Sequence, residues 1–383
     1  MSRLSGSKTE ALTTSRRSSS TGPGLRPRPV VRVLALVALA IVLVTTGCSG
    51  GGDDRDEQGT GPPSGVATSD EPLRVTTLSG PPLYVTGGDA VVAVDSPARR
   101  SLDDVRITID DGTDITERFV PDPRPHGPSD APPRLIATLT DLPPGESTVR
   151  ATSGDATAEL TLVDHDPTGP LFSGPHQSPF VCTTERAGLG APLDDCGAAT
   201  TVSWQYWNSD GQLLDLPRPG ELPPDAATTS TSEGAEVPFV VRLERSVLNR
   251  SITTIAVLDP SAGGSTGDGW NPSGWNGRLV LRFGGGCGTR YSQGTPSPNA
   301  LDRDLLAAGY AVASGSLTSF ETACNATVAA ETAMVVKEHF VETYGIPRHT
   351  IGEGGSGGAI QLLQIAQNYP GILDALGLAA PFP

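Results

Sequence analysis

The hydrophobic rhythm changes twice along the 383 residues. Between residues 73 and 165 apolar and polar positions alternate in short runs, at 73–78, 83–85, 90–94, 105–109, 115–119, 135–139, 148–151 and 158–163. Turn-forming residues part them, among them Gly87-Gly88-Asp89, Asp111-Gly112 and Pro143-Pro144-Gly145. Alternation turns one side of each strand toward a core, and short strands at this spacing predict an all-β, immunoglobulin-like sandwich over residues 72–166. The run Pro167-Thr168-Gly169-Pro170 ends that pattern, and residues 171–236 read as irregular. A second rhythm follows: strands over 239–245, 252–258 and 278–283, a short helix over 301–308, a strand over 310–313 and a long helix over 326–344. Val328, Val335, Val336 and Phe340 share the buried side of that helix, and Gly345 with Pro347 closes it. A β-branched strand, a helix over 359–368 and the start of another strand over 372–379 complete the chain. Strand alternating with helix predicts a mainly parallel sheet, so residues 167–383 read as an α/β domain.

The N-terminus belongs to neither rhythm. Seven Lys/Arg and one acid precede a 12-residue apolar run over 33–44, which ends in Thr45-Thr46-Gly47-Cys48. Twelve residues are too few to span a bilayer as a helix, so residues 1–47 read as a secretory signal. A cysteine placed there resembles the bacterial lipobox. That resemblance implies lipidation of Cys48 and a membrane-anchored protein on the outer face of the cell membrane. Residues 48–71 are rich in Gly, Ser, Asp, Glu, Thr and Pro, and read as a flexible tether.

Loss of residues 1–47 takes the formal charge from −16 to −22, an excess that opposes binding to nucleic acid. The same acidity serves to keep an exported protein soluble. Beyond Cys48 stand four cysteines, Cys182, Cys196, Cys287 and Cys324. An even count in an exported chain points to disulfides. Of the three pairings, Cys182–Cys196 with Cys287–Cys324 is favoured. The first closes a short loop, and the second joins the ends of successive strands. No Cys-x-x-Cys or paired-histidine spacing offers a metal site, and no cofactor is implied.

The candidate chemistry lies at Gly354-Gly355-Ser356-Gly357-Gly358. Gly-x-Ser-x-Gly occurs three times, centred on Ser49, Ser265 and Ser356, and only Ser356 has strand before it and helix after it. This is the context of a nucleophile elbow, in which a strained turn projects the serine hydroxyl from the sheet edge. The amide of Gly357, at a helix N-terminus, suits an oxyanion. A second glycine run, Gly284-Gly285-Gly286-Cys287-Gly288, follows the 278–283 strand. α/β-Hydrolases place their other oxyanion donor there, which nominates Gly285 and Gly286. A phosphate loop would need Gly-Lys-Ser/Thr or Gly-x-Gly-x-x-Gly leading at once into a helix.

Gly274-Trp275-Asn276-Gly277-Arg278-Leu279, the glycine run, the Ser356 motif and Tyr369-Pro370-Gly371-Ile372-Leu373-Asp374-Ala375 together resemble the tannase and feruloyl esterase group. More closely, residues 73–383 resemble a tannase-like family of exported bacterial proteins with no assigned function; Phe172-Ser173-Gly174-Pro175 and Val335-Val336-Lys337-Glu338-His339-Phe340 also fit it. The resemblance implies a serine ester hydrolase acting on a small aromatic or polyphenol ester. One departure is Gly355, which stands where tannases carry a cysteine.

The triad order of this fold is Ser, then Asp/Glu, then His. The 27 residues after Ser356 hold no histidine and a single acid, Asp374. All five histidines (His126, His165, His176, His339 and His349) precede the serine. His349 is expected far from the hydroxyl, at the start of the elbow strand, and His339 is expected to be packed or solvated. The expectation is an incomplete α/β-hydrolase sheet and an impaired enzyme, with a downstream chain as a partner carrying the rest of the triad. The alternatives are a non-catalytic surface binding or scaffold lipoprotein and a gene fragment. Trp204, Tyr206 and Trp207 would serve the binding reading if they stack a ring, although packing of an edge strand is the simpler role.

Overall fold

The computed structural model describes residues 72–96, 98–122, 132–264, 269–296 and 298–381. The expected signal segment, tether, Cys48, Ser49, His126 and Ser265 lie outside them. The strands are numbered along the chain. In the first part they are β1 (Arg74–Thr77), β2 (Val85–Thr86), β3 (Ala90–Asp95), β4 (Arg106–Ile109) and β5 (Thr113–Asp114). There follow β6 (Val120–Pro121), β7 (Arg134–Leu139), β8 (Gly145–Ser153) and β9 (Ala156–His165). They build one sheet in the order β1-β3-β7-β6 and another in the order β2-β9-β8-β4-β5. Alternate residues of both, including Val92, Val94 and Leu139 from the first and Ile107, Val149 and Leu162 from the second, meet in one core. Residues 115–119 are not the expected strand. Thr116–Arg118 form a 3-10 turn, because the Asp114 carboxylate accepts from both the Thr116 backbone N–H (3.0 Å) and its hydroxyl (2.7 Å). Such local side-chain bonds compete with ladder pairing.

The second part contains β10 (Thr201–Trp207), β11 (Leu213–Asp215), β12 (Thr228–Ser230), β13 (Glu236–Pro238), β14 (Val240–Leu248) and β15 (Ser251–Leu258). After them come β16 (Arg278–Gly284), α1 (Arg303–Ala307), β17 (Ala311–Ser319), α2 (Ala326–Tyr344), β18 (His349–Gly355), α3 (Gly357–Asn368) and β19 (Ala375–Ala379). Eight of these strands form a sheet in the order β11-β10-β14-β15-β17-β16-β18-β19.

That sheet is mixed rather than mainly parallel. Pairings from β11 through β17 are antiparallel, and only β17-β16-β18-β19 run in parallel. The connections decide this. Asn249 and Arg250, both at positive φ (49° and 58°), turn β14 directly into β15. A two-residue turn permits only an antiparallel neighbour, whereas the later strands have helices between them. Nor is 171–236 irregular throughout, since β10 to β12 fall within it and β13 begins at its end. Trp204, Tyr206 and Trp207 lie on β10, next to the edge strand, and pack: Trp207 stacks on Phe239 at 4.3 Å, and Trp204 Nε1 donates to Asp259 at 2.8 Å.

Both faces of the sheet are covered, and the strands alternate between them. Ile255, Val257, Ala311 and Ala313 pack with α2 and α3, while Ala256, Leu258 and Val312 pack with Leu306 of α1. Asn325 caps α2 by accepting from the N–H groups of Thr327 and Val328, and Gly345 ends it at φ 105°.

The sandwich and the large sheet fall in one compact unit, joined by α2. Glu338, buried, accepts from the Thr86 backbone N–H (3.0 Å) and hydroxyl (2.7 Å). One turn from the start of the same helix, Glu331 accepts from the N–H groups of Leu171, Phe172 and Ser173 and from the Ser173 hydroxyl. These four donors hold the segment that leaves the sandwich.

Candidate active site

Strands β16 and β18 run in parallel and adjacent, so the glycine run and Ser356 emerge on one edge of the sheet. Ser356 has φ 55° and ψ −120°, a region that L-residues rarely occupy and that persists only where the surroundings enforce it. Here the enforcement is close packing. A methyl group on Gly354 would stand 2.9 Å from the Gly358 carbonyl carbon, and one on Gly358 would collide with the Phe283 carbonyl oxygen. A methyl on Gly357 would collide with Gly286 O. The glycines therefore let β18 turn into α3 against the end of β16.

Gly285 faces this turn. A Cβ there would lie 3.5 Å from Ser356 Cβ and 3.7 Å from Gly357 N. The Gly286 backbone borders the turn as well, with its N 3.1 Å from where a Gly357 Cβ would stand, while a Cβ on Gly286 itself, at φ 82°, would face Glu321. Gln361, fully buried one turn into α3, donates through Nε2 to Gly284 O at 2.8 Å and pins the helix start to the glycine run. Sequence reading gave Gln361 no role; a lone glutamine on a helix carries no signal of a carbonyl 77 residues away.

Disulfides join Cys287 to Cys324 and Cys182 to Cys196. The first ties the glycine run to the start of α2, with Gly288 N donating to Phe320 O at 2.6 Å and Cys324 N to Gly288 O at 2.9 Å. The second closes a loop held against residues 291–294: Val181 N donates to Tyr291 O, and Gln293 Nε2 to Cys196 O. Two disulfides mark a protein that lives outside the cytoplasm. Among the described residues no helix is long and apolar enough to cross a membrane, and no group of three His, Cys, Asp or Glu could hold a metal ion.

None of the described histidines hydrogen-bonds to Ser356. His165 Nε2 contacts Leu83 O, and His176 Nδ1 contacts Asp195 at 2.7 Å while its Nε2 has no partner. His339 is bonded through Nε2 to buried Glu244 at 2.6 Å, so it is packed in a network with Tyr344 and Arg242 rather than solvated. Burial opposes ionisation of Glu244, yet the His339 bond and charge, with Tyr344 and Arg242, leave its carboxyl below the usual range. His349 opens β18, seven residues before the serine and, at ~3.3 Å each, ~23 Å from it. Asp374 shares that far end, where its carboxylate accepts from Thr350 N at 2.6 Å.

No curated protein matches the chain in sequence. Among solved structures, it is similar to an esterase from Aspergillus oryzae at 15% identity and TM-score 0.26, covering 51% of this chain. The chain spans 36% of the length of that esterase. It is similar to bovine butyrophilin at 13% identity and TM-score 0.17, over 48% of this chain and 92% of that one. Residues 75–383 match the tannase-like family of unknown function (DUF6351), and the chain belongs to that family.

Proposed function

We propose that the protein is an exported serine ester hydrolase of the tannase and feruloyl esterase kind, with Ser356 as nucleophile. The observation that carries this reading is the backbone of Ser356, at φ 55° between a half-buried parallel strand and a helix, with two glycine runs packed around it. A serine spared this strain would cost the fold less, so its position is best explained by chemistry. Ser356 Oγ attacks the ester carbonyl of a small aromatic or polyphenol ester. The amide of Gly357, with that of Gly285 or Gly286, donates to the oxyanion of the tetrahedral intermediate. Its collapse expels the alcohol and leaves an acyl-serine for water to cleave.

The large sheet is, on this reading, the N-terminal part of an α/β-hydrolase, and the preceding sandwich is immunoglobulin-like. Cys48 carries the lipid that holds both at the outer face of the membrane. The base that should take the Ser356 proton has no counterpart beside it among the described residues, and such help is worth ~10²–10⁴-fold. Residues 1–383 by themselves are therefore a weak esterase.

The test pairs labelling with turnover. A fluorophosphonate probe should modify the full chain slowly, at Ser356 alone by peptide mass spectrometry, and aryl-ester hydrolysis should be slow and vanish in Ser356→Ala. Labelling elsewhere, or hydrolysis that survives in the mutant, would overturn the assignment.

A further inference from the structure

A cavity of about 350 Å³ opens on the same edge of the sheet as Ser356, beyond the Cys287–Cys324 disulfide. Its walls come from places distant in sequence, among them the loop holding His176 and Phe180, the β14–β15 turn with Arg250, residues 288–292 and the start of α2 at Asn325. The register explains the meeting. β15 runs antiparallel to β17, with Thr253 opposite Gly315, so the turn before β15 sits where the parallel strands end. From β15 to β18 is three strand spacings, or ~14 Å.

Three side chains of the wall can donate to a ligand. Arg250 is only 7% exposed, its guanidinium lies over the Phe180 ring at 3.9 Å, and its Nε faces Asp195 at 3.1 Å. Burial lowers its pKa and Asp195 raises it. Its two Nη atoms have no hydrogen-bond partner among the described residues, which leaves the fork that fits a carboxylate. His176 adds a buried Nε2 without a partner, its ring fixed by Asp195 through Nδ1; with Nδ1–H on Asp195, this Nε2 donates in the protonated ring. Asn325 uses its Oδ1 to cap α2, so its amide nitrogen is left to donate. The one carboxylate in the wall, Glu331, is saturated by the four donors around Ser173. Arg250 also holds φ 58° in a turn where glycine or asparagine is usual, which places a large cation at a position that does not favour one.

We propose that this cavity binds a carboxylate, held by the Nη fork of Arg250 with His176 Nε2 and Asn325 beside it. Resting on the esterase reading above, the substrate is then an ester whose far end, ~14 Å from the bond broken, ends in a carboxylate. The apolar part of the wall, Phe180, Leu317 and Val328, takes the chain leading to it.

Binding is measured by calorimetry on the full chain with hexanoate and with hexanamide, its neutral counterpart, neither of which is an ester. Hexanoate should bind at least tenfold more tightly than hexanamide, and equally to wild type and Ser356→Ala. Arg250→Gln should weaken hexanoate at least tenfold and leave hexanamide unchanged. Equal affinity for the two ligands on the wild-type protein would overturn the proposal, and that comparison needs no variant to fold. Unchanged hexanoate binding in folded Arg250→Gln would overturn it as well. If Ser356 fails to label yet hexanoate binds as stated, the esterase reading falls and the carboxylate site stands.

Discussion

At Gly358 a single added methyl group would collide with the Phe283 carbonyl oxygen, a backbone atom in a strand that cannot step aside. Gly358→Ala should therefore cost about 1–3 kcal/mol, the usual range for forcing bulk into a packed site. Gly355→Ala, whose new Cβ would meet Ala379 at an ordinary 3.5 Å, serves as the control and should be nearly neutral. Urea unfolding of both variants beside wild type checks this, and equal midpoints would contradict it. These small residues were legible in the sequence because their spacing around Ser356 is local and dictated by one turn. Gln361, Arg250 and the His176–Asp195 pair were not. Each acts on a partner brought close by the tertiary fold, 77 residues away for Gln361, and no local pattern encodes such a pairing.

Among the elements, α2 carries the strongest dependence on pH. Burial first, then the nearby Asp164 and Asp89, pushes the Glu338 carboxyl up to about 8. Burial first, then Glu338, pushes Glu342 up to about 9. Asp89 and Asp164 are themselves raised, chiefly by burial, and Asp141 adds negative charge beside Asp89. For a carboxyl whose folded value is raised, the folded state binds the proton more tightly than the unfolded state does. Stability from Glu338 and Glu342 is then fullest below about pH 4.5 and drains away as pH climbs through about 8 to 9. Each group contributes a slope of up to ~1.4 kcal/mol per pH unit in that window. Glu244 acts in the opposite sense, since its lowered carboxyl stabilises above the ordinary value and that contribution is lost on acidification. Melting temperature should fall between pH 6 and pH 9, and Glu338→Gln, which can still accept from Thr86 N, should flatten the decline. A profile that is flat in wild type would refute this. The helix was readable from its period and caps. The antiparallel half of the sheet was not, because an alternating apolar run does not say which way its neighbour runs.

At the scale of the whole molecule, the expected anchor is tested on the intact chain. Radiolabelled palmitate should enter wild type and not Cys48→Ala, and equal labelling of both would remove the anchor from the account. The change of rhythm near residue 166 falls between β9 and β10, but the contacts of Glu338 and Glu331 across it could not be read, since buried glutamates look like surface positions in a sequence. That union has a consequence in time. Thr86 meets Glu338 across 252 residues, so a ribosome delivers the sandwich long before it delivers the helix that completes it. Chain entropy grows slowly with loop length and does not forbid so late a meeting. From the end of β9 at His165 until Glu338 is made, though, the nascent sandwich has its docking face open, and whatever attends the chain in that interval must leave Thr86 free for α2.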